Sequence, residues 1–130
     1  MANADILIAE DDAVLREVCT KKFTISGYTI RTAENGEEAI AEIQKKEPDI
    51  LVLDINMPIL DGFGVLEKYP KEGRKFPIIM LTNFGDDKNR ERGEQLGSDD
   101  YFIKSEMTIR KLLEMVETLL KAKQYWADKQ

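Results

Sequence analysis

The sequence predicts an α/β fold in which a five-stranded parallel sheet is covered by helices on both faces. Three observations lead there. Five short apolar runs alternate with five helical stretches, the pattern of βαβ units. Two of the runs, Ile6-Leu7-Ile8-Ala9 and Ile50-Leu51-Val52-Leu53, are apolar without alternation, as strands buried on both faces are. Both of these runs end in carboxylates, Glu10-Asp11-Asp12 and Asp54, where open α/β sheets place their sites.

The first strand is read over residues 5–9 and the first helix over 12–26. That helix starts in the acidic cluster, which complements the positive end of a helix dipole, and stops at Gly27. The second strand, 28–33, leads to a helix over 36–46. Asn35 is its cap, with Glu37 and Glu38 in the first turn. Pro48 closes the connection to the third strand, 50–53. A helix over 63–69 precedes the fourth strand, 77–82, and a helix over 86–96 ends at Gly97 before the fifth strand, 100–103. In the last helix, 107–123, Ile109, Leu112, Leu113, Val116, Leu119 and Leu120 recur at helical spacing and read as core. Residues 1–123 make the domain and 124–130 a polar tail apart from Tyr125 and Trp126. Trp126 is read as packing on its own domain rather than on a partner. The fourth helix is the weak element. Asp86 to Gln95 contains no large apolar residue, and Gly93 costs about 1 kcal/mol relative to alanine. A loosely held helix is expected, with amides that exchange faster than those of the last helix.

A chain of 130 residues can bury a single core without staples. The net charge of −6 argues against a nucleic-acid footprint, and no segment approaches the roughly 20 apolar residues that span a bilayer. Met1-Ala2-Asn3-Ala4-Asp5 lacks the basic and apolar regions of a signal peptide. The single cysteine, Cys19, reads as a small core residue, and a cytosolic protein is expected. There is no histidine. This removes histidine bases, imidazole zinc sites and Ser-His or Cys-His pairs, and the chain cannot be its own phosphohistidine donor.

With the first and third strands as neighbours, three or four carboxylates converge on one crevice. Like charges that close raise one another's pKa unless a cation lies between them. Oxygen-only donors favour a hard divalent ion, Mg²⁺ before Ca²⁺. The same sheet edge carries the loop Asn56-Met57-Pro58, Thr82 and Lys104. Each has a plain alternative. Asp11 or Asp12 could cap the first helix, threonine is common at strand ends, and Lys104 could be a surface lysine. Asp54 could be a loop aspartate, but one directly after four apolar residues is costly to desolvate without a purpose. Together they supply a nucleophilic carboxylate, acidic metal ligands, a hydroxyl donor and a fixed cation, the set that phosphoryl transfer uses.

Four segments carry a family likeness: Ile6-Leu7-Ile8-Ala9-Glu10-Asp11-Asp12, Leu51-Val52-Leu53-Asp54-Ile55-Asn56-Met57-Pro58-Ile59-Leu60-Asp61-Gly62, Pro77-Ile78-Ile79-Met80-Leu81-Thr82, and Gly97-Ser98-Asp99-Asp100-Tyr101-Phe102-Ile103-Lys104. The chain closely resembles the CheY-like receiver domain of two-component response regulators, over about residues 5–123. The resemblance implies a flavodoxin-like, doubly wound (βα)5 fold with strand order 2-1-3-4-5, which sets Asp54 beside the acidic cluster at the switch point. It implies that Asp54 is the phosphoacceptor for a sensor histidine kinase or phosphotransfer protein. Mg²⁺ would be held by Asp11, Asp54 and the Asn56 carbonyl, with Glu10 acting through a water. Asp12 would serve the helix start. Lys104 and Thr82 would contact phosphoryl oxygens. Tyr101 would be the switch aromatic and the fourth helix, fifth strand and fifth helix the output face for a downstream protein. Family members often dimerise through that face when phosphorylated. Such a domain assists its own phosphorylation and dephosphorylation without turning over a separate substrate.

Asn56 and Phe84 occupy the positions that influence phosphoryl loss in the family, and Phe84 would limit water access. Two residues depart from the pattern. Lys104 is followed by Ser105 instead of proline; a non-proline cis bond costs about 2.5–4 kcal/mol, so a trans turn is expected and the reach of Lys104 is open. Thr82 is followed by Asn83, larger than usual. Three rival readings stand beside this one. A phosphorylation-independent pseudo-receiver predicts weak Mg²⁺ binding and no modification of Asp54. A haloacid-dehalogenase-type phosphatase typically needs a second acid where Asn56 stands. A flavodoxin-like redox protein needs a phosphate loop where the acidic cluster lies. With no output domain after residue 123, the expectation is a single-domain regulator or a receiver cut from a longer chain.

Overall fold

Five parallel strands form one sheet in the order β2-β1-β3-β4-β5: β1 (Asp5–Ala9), β2 (Thr29–Ala33), β3 (Ile50–Asp54), β4 (Ile78–Thr82) and β5 (Asp100–Ile103). The helices between and after them are α1 (Ala13–Ile25), α2 (Gly36–Lys45), α3 (Gly62–Lys68), α4 (Asp87–Leu96) and α5 (Ile109–Asp128). This is the doubly wound (βα)5 arrangement expected from the sequence. The computed structural model describes residues 4–83, 85–105 and 108–128, with side chains described as far as residue 123. The expectations for Phe84 and for the side chain of Trp126 lie outside the described residues.

The three inner strands are buried along their whole length, which is why they read as continuous apolar runs. Alternation along each strand divides the core in two. Leu7, Leu51, Leu53 and Met80 pack beneath α2 and α3. Ile6, Ile8, Val52 and Leu81 pack beneath α1 and α5. Cys19 is part of this second core, and burial pushes its thiol up to about 11, so it is inert as a nucleophile at neutral pH. The stripe Leu112, Val116 and Leu120 is buried in the same core.

Side-chain caps set the helix starts. Asp12 accepts from the Val14 and Leu15 amides, Asn35 from Glu38, and Asp61 from Gly64. The cap at Asp61 is a feature that the sequence reading does not contain. α5 runs to Asp128, beyond the expected end at 123, because residues 109–128 contain no glycine or proline to stop it. Another unforeseen element is Arg74. Its almost fully buried guanidinium donates to the carbonyls of Tyr69, Phe76 and Gly97 and to Asp99, tying the α3–β4 connection to the entry of β5. No described helix is long and apolar enough to cross a membrane.

α4 is as poorly anchored as its sequence suggests: its buried residue is Gly93, and Asp86 makes no side-chain cap bond. A Cβ at Gly93 would meet Met80 Cγ at 3.5 Å and Ser98 Oγ at 3.6 Å, ordinary van der Waals contact. Gly93→Ala is therefore expected to stabilise the protein by about 0.5–1 kcal/mol. Urea denaturation checks this, and a lowered midpoint would show that the glycine serves a contact the helix needs.

Candidate functional site

The register of the sheet assembles the site. Ala9 pairs with Leu53 across β1 and β3, so the next residues, Glu10 and Asp54, emerge side by side. Asp54 pairs with Leu81 and Thr82 with Ile103, and the Lys104 amide donates to the Thr82 carbonyl at 2.9 Å. Side chains distant in sequence thus stand in one row at the C-terminal edge of the sheet, on both sides of the point where strand order reverses.

Lys104 binds the row together. Its Nζ lies 2.7 Å from Glu10 Oε1 and 3.0 Å from Asp54 Oδ1. The chain has no cis peptide bond among the described residues, and Lys104 reaches both acids with Ser105 in an exposed turn. Glu10 is completely buried. Its Oε2 accepts from the Asp12 amide at 3.1 Å. Its Oε1 has no aligned hydrogen-bond donor, so the short contact with Lys104 is ionic. Asp11 is exposed, yet one oxygen each from Glu10, Asp11 and Asp54 lie within 4.8 Å of one another. Thr82 is buried and its hydroxyl donates to the Phe102 carbonyl at 3.4 Å. Asn56 is exposed in the loop after β3, and Asn83 is exposed after Thr82.

The electrostatics follow from one cation among three acids. Burial, then a hydrogen bond with Glu10 and its charge, pushes the Asp54 carboxyl up to about 7, with Lys104 opposing. Burial also disfavours ionised Glu10, but contacts with Asp54, Lys104 and the Asp12 amide outweigh it and hold Glu10 below the usual carboxylate range. Burial works against the charge on Lys104, and the two acids outweigh it and raise its pKa. Fully ionised, the three acids and Lys104 sum to two negative charges. An all-oxygen donor set with that residual charge and an undonated buried oxygen fits a hard divalent cation.

The loop after Asp54 is shaped around the backbone. The Gly62 amide donates to the Ile55 carbonyl at 2.9 Å, and a Cβ on Gly62 would collide with the Asp54 carbonyl oxygen. This close approach is the physical reason for a glycine at the end of the Asp54–Gly62 segment. Gly62→Ala is expected to cost about 2 kcal/mol or more and to displace Asp54. A denaturation midpoint within error of the unsubstituted chain would contradict this.

Tyr101 is half-exposed on β5. Its hydroxyl accepts from Arg90 Nη1 at 3.4 Å, and the Arg90 guanidinium lies 4.9 Å from the ring centroid. The structure therefore gathers Glu10, Asp11, Asp54, Thr82 and Lys104 in one crevice, while Tyr101 stands outside it, against α4.

The backbone superimposes on the receiver domain of the Francisella response regulator 1452, with a TM-score of 0.84 and 32% identity over 92% of this chain and 98% of that one. It also superimposes on a CheY-like receiver domain protein from Methanospirillum hungatei JF-1, with a TM-score of 0.87 and 26% identity over 95% of this chain and 98% of that one. The family model described as "Response regulator receiver domain" matches residues 6–117, and the chain belongs to that family. Its curated relatives include the "Probable transcriptional regulator ycf27" of Pyropia yezoensis, 44% identical over 76% of this chain and 40% of the relative. Another is the "Response regulator MprA" of Mycobacterium ulcerans, 36% identical over 89% of this chain and 50% of the relative. The chain spans about half or less of the length of these relatives, and their shared domain places it in two-component signalling.

Proposed function

We propose that the chain receives a phosphoryl group on Asp54 from a phosphohistidine of a sensor kinase or phosphotransfer protein, in the cytoplasm, and passes the change to a downstream protein. The single observation that carries this reading is Lys104 Nζ held between Glu10 and Asp54, with Asp11 beside them. A buried nucleophile, a fixed cation and a metal-fitting acid cluster at one point meet the needs of phosphoryl transfer, which are positioning and charge neutralisation. With no histidine in these 130 residues, the donating imidazole lies outside them.

Asp11, Asp54 and the carbonyl of Asn56 would hold Mg²⁺, with Glu10 acting through a water. Bound there, the ion supplies neutralisation of the phosphoryl oxygens and favours ionised Asp54. The chain's own residues do the rest. An Asp54 carboxylate oxygen attacks phosphorus, the P–N bond breaks, and its electron pair stays on the imidazole, which takes up a proton. Lys104 turns from the carboxylates toward a phosphoryl oxygen. The Thr82 hydroxyl exchanges the Phe102 carbonyl for another phosphoryl oxygen. Tyr101 then shifts, altering the surface of α4, β5 and α5 that a target, or a second copy, contacts. Asp54 is regenerated by hydrolysis within the same site, so no separate substrate is turned over.

Intact mass after incubation with acetyl phosphate tests the reading. A Mg²⁺-dependent gain of one phosphoryl group on Asp54 is expected. Absence of that gain where an active receiver is labelled would leave a module that signals without phosphorylation.

A further inference from the structure

α4 is held to the domain by two arginines and, at its last residue, by the apolar side chain of Leu96. Between Asp87 and Gln95 the buried residue is Gly93, and Leu96, at the last position, is the helix's partly buried apolar contact with the core. Two arginines flank the helix. Arg92 lays its guanidinium 4.2 Å from the ring centroid of Phe63 in α3. Arg90 covers Tyr101 of β5 and donates to its hydroxyl. Arg90 is partly buried and Arg92 exposed, and cation–π contacts at such sites contribute about 0.5–1 kcal/mol each where apolar packing is lacking.

The two contacts differ in what they touch. Phe63 is buried beside the core of α2 and α3. Tyr101 immediately precedes Phe102, whose carbonyl accepts the Thr82 hydroxyl at the site. The Arg90 contact is also incompletely satisfied. Its hydrogen bond is long at 3.4 Å, and its Nε is buried with no hydrogen-bond partner among the described residues. Its ionic neighbour, the exposed Asp87, stands 3.9 Å away. An unpaired buried N–H costs free energy, which keeps the contact only marginally favourable and easily released.

From this juxtaposition we propose that Arg90 is a positioning residue, a latch that holds α4 against β5, and that movement of Tyr101 opens it. The first half concerns the unmodified chain. The second half rests on the phosphoacceptor reading above. When the Thr82 hydroxyl leaves the Phe102 carbonyl, the strand segment carrying Tyr101 loses a bond, the ring moves from beneath Arg90, and α4 keeps its contacts through Arg92 and Leu96.

Amide hydrogen exchange on the full chain separates the two halves. In the unmodified protein, Arg90→Met is expected to speed exchange over residues 87–96 about tenfold, with α5 unchanged. Arg90→Lys, which keeps the cation, should retain part of the protection. Tyr101→Ala should match Arg90→Met, and the double variant should be no faster than either single one. Unchanged α4 exchange in Arg90→Met, or additive effects in the double variant, overturns the latch. With acetyl phosphate and Mg²⁺ in excess, the unsubstituted chain should approach the α4 exchange of Arg90→Met, and that variant should gain nothing further. A full additional gain in the variant, with the unsubstituted chain responding at Asp54 and Thr82, overturns the coupling alone. No response anywhere in the unsubstituted chain overturns the phosphoacceptor reading and the coupling with it, and leaves the latch judged by the unmodified comparison.

Discussion

Asp54→Asn is expected to abolish phosphoryl incorporation and, in the absence of divalent cation, to raise stability at pH 8 by about 1–2 kcal/mol. The first effect removes the nucleophile. The second removes a buried like charge beside Glu10. Asp54 is buried and held up to about 7 from an ordinary 3.8. Between those values the native chain keeps a proton that the unfolded chain releases, so stability falls as pH rises through that window. The contribution is complete below the ordinary value and lost above about 7. Glu10, held low, contributes stability above its ordinary value of 4.5 and loses it only in stronger acid, so it does not offset the trend near neutrality. In EDTA, the advantage of the variant should therefore grow between pH 4 and pH 7, being about half developed at pH 5.5 and complete at pH 8. Mg²⁺ should raise the melting temperature of the unsubstituted chain more at pH 8 than at pH 5.5. Equal stability of the two proteins at pH 8 in EDTA would show that Asp54 is not strained by its neighbours.

Lys104→Met acts in the opposite direction on the same cluster. Lys104 is the cation in contact with buried Glu10 and Asp54, and removing one partner of a buried pair leaves an uncompensated charge. A cost of about 2–3 kcal/mol at pH 8 without divalent cation is expected, together with slower labelling by acetyl phosphate. The raised pKa of Lys104 means that its contribution is fully present at and below neutral pH and is lost only as pH rises through that higher value. At pH 5.5 the acid pair takes up a proton, and the penalty should shrink. Denaturant midpoints at the two pH values measure the difference. An equal cost at both would assign Lys104 to packing along its aliphatic stem rather than to charge.

Much of the fold is legible in the chain because burial leaves a direct mark on composition. β1, β3 and β4 are covered on both faces, and apart from Asp5, Asp54 and Thr82 at their ends they are apolar. Asn35 and Asp12 announce helix starts because a short polar side chain there satisfies amides that nothing else reaches. Asp61 performs the same task inside the segment after β3, where its place in the motif masks the capping signal. Arg74 left no local signal at all, since its carbonyl partners are spread from residue 69 to residue 97 and any residue type can supply a carbonyl. The arginine contacts of α4 were hidden for a related reason. Arg90 and Arg92 read as solvated charges, and only the neighbouring Tyr101 and Phe63 make them anchors.

By itself the sequence determined the alternation of strands and helices, the acidic cluster at the end of the first strand, the lone aspartate at the end of the third, and the absence of histidine. Those are properties of runs and residue types, and short-range forces suffice to express them. Tertiary structure alone decided that Lys104 touches both Glu10 and Asp54 without a following proline, that Gly62 has no room for a Cβ, and that Tyr101 lies beneath Arg90. The Lys104 contacts join segments far apart in the chain and are set by strand order and register, while the other two depend on how a loop and a helix fold back on the strand beside them. A distance of a few ångströms between such segments is a property of the packed sheet, and no local pattern records it.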